Sequence, residues 1–345
     1  MSGRPRFDHE RDPGIDAKVG FLSRRESYAE RPDAVETVET HMSWVFLTDR
    51  HAYKLKKPVR TEFLDFSTLV ARRADSEVEV TLNRRLAPEV YLGMVALTLD
   101  SGGLHLGGPG EPVDWLVKMR RLPAANMLDQ RILEGNVAPP ELDPAANLLA
   151  NFYAAAPSIP TDPELYRRRF EASILADRSV LLDQQYEMPA ARVRDVCDAQ
   201  LGFMTRQPGI LRVRARDGRI IDGHGDLRPE HVFLGPQPAI IDCLEFDSGL
   251  RRLDPAEELA FLGMECELLG ADWAGHRFLE VYRDVTGDAP PEVLLSFHKS
   301  VRAFLRCKLS LWHVSDPSVA DPEHWRIKAA QYLALAERYA NALAA

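Results

Sequence analysis

Gly223-His224-Gly225-Asp226-Leu227-Arg228-Pro229-Glu230-His231-Val232-Phe233-Leu234 is followed closely by Ala239-Ile240-Ile241-Asp242-Cys243-Leu244-Glu245-Phe246-Asp247. An apolar run, a turn dense in ionisable residues, Val-Phe-Leu, Gly-Pro and then Ile-Ile into another acid reads as a loop between short buried strands. Asp226 and Asp242 then stand at the ends of neighbouring strands and can point into one space. Two carboxylates so placed suit phosphoryl transfer. One orients an attacking hydroxyl, the other holds Mg²⁺ on nucleotide phosphates, and a further metal ligand falls five residues after the first acid. Taken alone, the His-Gly-Asp tripeptide also fits a polar β-turn, with His224 bonded to backbone.

The rest of the composition narrows the class. The chain has 345 residues, 45% of them hydrophobic and 28% charged, which is ordinary for a globular protein with a large core. Its net charge of -9 argues against nucleic acid or an anionic membrane surface as a general partner. Cys197, Cys243, Cys266 and Cys307 are far apart and form no C-x-x-C pair, so they read as reduced buried thiols. No leader-like apolar region and no membrane-length apolar run occurs, and the expected location is cytoplasmic.

In chain order, Met1 to about Asp16 is polar and expected to be poorly ordered, and Ala17–Ser27 reads as a short helix. Ser43–Thr48 and His51–Lys56, joined at Asp49-Arg50, read as a β-hairpin whose second strand puts Ala52, Lys54 and Lys56 on one face. Ser67–Leu86 reads as a helix with Ser67 as N-cap, Arg72 and Arg73 exposed, and Glu77 and Glu79 as acids available to a lysine. Val90–Leu99 and Asp114–Met119 look like antiparallel strands separated by a glycine-rich turn, Ser101–Gly110. Beyond Pro139 helices dominate: Asp143–Ala156, Pro163–Ala176, Ala190–Thr205, Asp272–Val285, Glu292–Val314 and Asp321–Ala342. A turn at Arg216–Arg219 reads as a hairpin feeding the central motif. Asp254-Pro255-Ala256-Glu257 has the N-cap, N1 and N3 residues of a helix start.

These motifs carry a resemblance. The run His224–His231 with Asp242 after it resembles the protein-kinase pattern H-R-D-L-x-x-x-N and D-F-G, in the aminoglycoside/choline-kinase form where His-Gly-Asp replaces His-Arg-Asp. Glu39–Leu47, Ala52–Pro58, Phe63–Ser67 and Leu82–Pro88 are similar to a bacterial group described as aminoglycoside-phosphotransferase-like, so the likeness covers nearly the whole chain after residue 35. It implies an α+β, two-lobed protein-kinase-like fold: a small antiparallel-sheet N-lobe with one helix, a larger helical C-lobe, and a cleft between them. The expected division is 1–35 as a partly disordered extension, 36–121 as N-lobe and 122–345 as C-lobe. Some members of the group carry a P-loop kinase-like domain; no G-x-x-x-x-G-K-[ST] occurs here, so that domain is expected to be lacking.

The resemblance also implies roles. Asp226 would orient the acceptor hydroxyl, and Arg228 would neutralise the transferred phosphoryl group. Lys54, in Ala-x-Lys, would hold phosphates with Glu79 as partner, although Lys56 shares its face and Glu77 its helix. Met119, Arg120 and Leu122 would form an adenine-binding hinge, and Asp242 would ligate metal. His224 and Asp254 would be structural supports of the catalytic loop. His231 stands where the family has Asn. Three outcomes follow: it ligates a nitrogen-tolerant metal such as Mn²⁺, Glu245 or Asp247 supplies an oxygen instead, or a metal position is lost. The expected cofactors are ATP and Mg²⁺, with Mn²⁺ allowed by His231, and the expected partner is a small hydroxylated molecule. No G-x-G-x-x-G loop occurs near Thr48–His51, and the stretch from Asp242 to Asp254 is short for an activation loop; both favour a small acceptor over a protein. An ATP-dependent kinase of an aminoglycoside, amino sugar, sugar or amino alcohol is the leading reading. A nucleotide-binding pseudokinase is the second, and a metal hydrolase built from His224, Asp226, His231 and Asp242 the third.

Overall fold

A computed structural model describes residues 12–60, 64–316, 319 and 321–343. Most of the polar lead-in and Phe63 lie outside the described residues. The chain divides into two compact units, residues 1–123 with 241–246, and residues 124–240 with 247–345.

The first unit is built on a six-stranded antiparallel sheet. Its elements are α1 (Gly14–Leu22), β1 (Glu36–Glu39), β2 (Ser43–Leu47), β3 (His51–Lys56), α2 (Leu69–Asn83), β4 (Tyr91–Asp100), β5 (Gly103–Leu106) and β6 (Glu111–Arg120), with strand order β1-β2-β3-β6-β4-β5. Tyr53 and Leu55 on one face of β3 join Leu22, Tyr28, Phe46, Leu97 and Leu116 in the core, while Lys54 and Lys56 project from the other face. Each such fully buried side chain stabilises by about 1.5–3 kcal/mol.

Four expectations change here. The glycine-rich Ser101–Gly110 turn contains β5, held against β4 by pairing of Leu97–Asp100 with Gly103–Leu106. Gly14–Asp16 begins α1 rather than trailing as coil, and Leu22 and Tyr28 anchor this segment to the sheet. Arg72 is buried, because its guanidinium makes two 2.9 Å hydrogen bonds to Asp114, which also accepts from Lys18 at 2.9 Å. The α2 N-cap is Thr68, whose side chain accepts from the Ala71 N–H, and not Ser67.

The second unit is mainly helical: α3 (Leu128–Leu133), α4 (Pro139–Ala155), α5 (Pro163–Leu181), α6 (Ala190–Arg206), α7 (Pro208–Arg216), β7 (Ile221–Asp222), β8 (Val232–Phe233), β9 (Ala239–Ile240), α8 (Ser248–Arg251), β10 (Arg252–Leu253), α9 (Pro255–Leu268), α10 (Asp272–Thr286), α11 (Glu292–Val314) and α12 (Pro322–Ala342). Phe170, Phe203, Phe297, Phe304 and Tyr332 centre its core. The Arg216–Arg219 turn is not a hairpin: it links α7 to β7, and β7 pairs with β10. β8 and β9 pair antiparallel, so the loop carrying Asp226 is flanked by short two-stranded ladders. No helix among the described residues is long and apolar enough to cross a membrane.

Candidate active site

In the first unit, strand period two and helix period four bring three expected residues together. Lys54 Nζ lies 3.0 Å from Glu79 Oε1 and 3.0 Å from Asp242 Oδ1, a residue 188 positions away in sequence. Glu77 faces outward and pairs with Arg73 at 2.9 Å, an exposed helix-surface contact. Burial works against the Lys54 ammonium, but Asp242 and Glu79 outweigh it and hold its pKa well above the ordinary lysine value. Burial likewise opposes the Glu79 carboxylate, and Lys54 and Lys56 overcome that and lower its pKa.

Asp242 has φ +60°, the left-handed conformation that Asp tolerates better than most residues. Two hydrogen bonds over-determine this turn. The Asp242 N–H donates to Tyr91 Oη at 3.1 Å, and the Cys243 N–H donates to Asn83 Oδ1 at 2.9 Å. Asn83 in turn donates to the Glu79 carbonyl at 2.9 Å, so one side chain ties α2 to the metal-ligand candidate. The Asp242 side chain is 47% exposed while Glu79 is fully buried, which suits a ligand-facing carboxylate and an internal partner respectively.

Lys56 is 1% exposed and contacts Asp75 at 2.6 Å, Glu79 at 2.7 Å and Glu245 at 2.5 Å. Of the hinge candidates, Met119 sits in β6 opposite Ala52 and Tyr91, and the Arg120 N–H donates to the Val90 carbonyl at 2.8 Å. That donor serves the sheet.

In the second unit, Arg228 lies 3.0 Å from Asp226 Oδ2 and also pairs with Glu230. Burial would raise the Asp226 pKa, but Arg228, together with His231, Arg306 and His224, outweighs it and the pKa is lowered. His231 Nδ1 is 2.8 Å from the Asp226 carbonyl, which can only accept, so Nδ1 carries the proton. Its Nε2 then accepts from Arg228, 3.2 Å away. His224 is fully buried, and its Nδ1 accepts the Asp226 N–H at 3.3 Å. Each imidazole therefore spends one nitrogen on the Asp226 backbone.

The brace on this loop differs from the one expected. Asp254 caps α9 through the Ala256 N–H at 2.9 Å and binds Arg214 at 2.5 and 2.7 Å, and Arg214 also holds Asp288. Glu258, one turn along the same helix, accepts the Gly225 N–H and the Tyr153 hydroxyl. Burial raises its pKa. Gly225 has φ +90°, and a Cβ on Gly223 would come within 2.8 Å of Glu258 Oε2, so both glycines are needed for this approach. The two alternative metal ligands are engaged as well: Glu245 binds Lys56, and Asp247 caps α8 by accepting the Gly249 N–H at 2.7 Å.

Comparison with solved structures gives aminoglycoside 2'-phosphotransferase-IIIa, in its GDP complex, at a TM-score of 0.54 with 15% identity, covering 89% of this chain and 93% of that one. This is the aminoglycoside-phosphotransferase fold. A choline/ethanolamine kinase family protein of Mesorhizobium loti shares it at a TM-score of 0.53 and 15% identity, over 95% of this chain and 99% of that one. Choline kinase of Cryptosporidium parvum matches at 0.52 and 10% identity, over 95% and 96%. No family model matches. In sequence, uncharacterized proteins of Mycobacterium tuberculosis and Mycobacterium bovis are 34% identical over 313 residues, 87% of this chain. The chain spans 60% of the length of these relatives. The kinase-like resemblance read from the motifs thus holds at the level of the fold.

Proposed function

We propose that this chain is an ATP-dependent phosphotransferase that moves the γ-phosphate to a hydroxyl of a small molecule, in the class of an aminoglycoside, amino sugar, sugar or amino alcohol. The observation that carries the reading is the Lys54–Glu79–Asp242 set, three residues from distant parts of the sequence meeting at 3.0 Å on a kinase-like sheet. Fold alone admits many functions; this constellation is what phosphate binding requires. The neighbours add weight, since they include aminoglycoside phosphotransferases and choline or ethanolamine kinases.

Lys54 would hold the nucleotide phosphates, with Glu79 fixing its position. Asp242 is a hard oxygen donor with an exposed carboxylate, which fits Mg²⁺. When bound, that ion would neutralise charge on the phosphates. Asp226 would orient the acceptor hydroxyl, its lowered pKa keeping it ionised, while Arg228 steadies that carboxylate and is available to the phosphoryl group. His231 supports the loop rather than a metal, because its Nε2 lone pair already accepts from Arg228. All four cysteines are buried free thiols, in keeping with a cytoplasmic enzyme.

The decisive experiment is an ATP-consumption screen over aminoglycosides, amino sugars, sugars and amino alcohols with Mg²⁺ and Mn²⁺. Acceptor-dependent consumption supports the reading, and its absence across the panel contradicts it. Nucleotide binding without turnover would select a pseudokinase, the second reading, which the His231–Arg228 contact favours because it occupies the expected metal position.

A further inference from the structure

Phosphate chemistry at this site employs one lysine, and Lys54 fills that role in the proposed function. Lys56 then stands unexplained: a second ammonium on the same face of β3, 1% exposed. An ammonium has three N–H donors. Here three carboxylates surround it, Asp75 at 2.6 Å, Glu79 at 2.7 Å and Glu245 at 2.5 Å, with the Phe66 ring centroid at 5.1 Å. The ammonium is thereby enclosed by protein carboxylates, with a hydrogen bond to Glu245 and close ion pairs to Asp75 and Glu79.

The three carboxylates each present an oxygen within 4.8 Å of the others. At that separation, out of water, like charges repel strongly unless one is protonated or a cation sits among them, and Lys56 is that cation here. Those acids also belong to the elements that matter. Asp75 and Glu79 lie one turn apart on α2, and Glu245 follows Asp242 by three residues. Glu79 offers one oxygen to Lys54 and the other to Lys56.

We propose that Lys56 is a positioning residue, an internal counter-ion that holds α2 and residues 241–246 against β3 and so presets Glu79 for Lys54 and Asp242 for its ligand. The consequence for nucleotide rests on the proposed function; the tethering does not. Replacing Lys56 by Ala deletes Cγ, Cδ, Cε and Nζ, a fragment that n-propylammonium reproduces.

The test is amide hydrogen exchange of α2 and 241–246 in nucleotide-free Lys56→Ala, alongside MgATP affinity, with n-propylammonium or uncharged n-propanol added. Exchange in 241–246 should rise at least tenfold and affinity fall about tenfold, and n-propylammonium, but not n-propanol, should restore both. Exchange within twofold of wild type, or a loss that n-propylammonium fails to repair, overturns the proposal. If Lys56→Ala does not fold, Lys56→Met/Asp75→Asn/Glu245→Gln removes the repulsion along with the tether. It should fold with a loosened 241–246 segment, and wild-type protection there overturns the proposal. A wild-type protein that binds no MgATP would sink the proposed function, while exchange would still decide the role of Lys56.

Discussion

At the scale of single residues, the chemistry divides between groups that face a ligand and groups that hold them. In the proposed function Lys54 is of the first kind. Lys54→Met should lower kcat/KM by on the order of 10²-fold without unfolding the protein, measured by steady-state kinetics and circular dichroism. His231 is of the second kind. Because its Nδ1–H is given to the Asp226 carbonyl and its Nε2 accepts from Arg228, His231→Asn should leave the Mn²⁺/Mg²⁺ activity ratio unchanged. A marked shift toward Mg²⁺ would make it a ligand. Asp226 is held ionised against the effect of burial by Arg228 together with His231, Arg306 and His224, so its pKa lies below the ordinary carboxylate value. A depressed pKa contributes stability above the unfolded value, lost as pH falls through the folded one. The acid limb of turnover should therefore lie below the usual carboxylate range, and Arg228→Ala should move it upward, as a pH–rate profile would show.

At the scale of elements, two packing devices set the frame. Asp114 on β6 is the shared acid for Arg72 of α2 and Lys18 of α1, all three at most 3% exposed. Asp114→Ala would take the carboxylate from buried Arg72 and leave Lys18 with the more exposed Asp12, and should cost about 3–5 kcal/mol, read by denaturant unfolding. α9 and α10 cross so closely that a Cβ on Gly275 would lie 2.4 Å from the Gly263 Cα. Gly275→Ala should destabilise by about 1–3 kcal/mol. These elements were legible to different degrees, for physical reasons. β2 and β3 follow from period-two patterning around a two-residue turn, and α11 from an apolar stripe running from Glu292 to Val314. β5 was hidden because Gly103 and its neighbours read as turn, and only pairing with β4 makes them strand. Arg72 looked exposed because its partner lies 42 residues downstream.

At the scale of the whole molecule, the meeting of Lys54, Glu79 and Asp242 could be anticipated from the sequence because the kinase-like pattern preserves spacing around each. The supports could not. Tyr91 and Asn83 act through contacts spanning up to 160 residues, and nothing in local patterning announces them; Lys56 and Glu245 stand out in the sequence as an alternative lysine and an alternative metal oxygen, but not as partners 189 residues apart. A ligand bound only by the folded state stabilises it by mass action, by about 2.7 kcal/mol at a hundred times its Kd. Saturating MgATP should therefore raise Tm by several degrees, and Asp242→Ala should remove that shift.

The most direct measurement is transfer of label from γ-labelled ATP to a hydroxylated small molecule by wild type and by Asp226→Ala, with nucleotide affinity measured on both. Wild type should label an acceptor, and Asp226→Ala should bind nucleotide normally yet transfer nothing. Transfer by Asp226→Ala at the wild-type rate would contradict it.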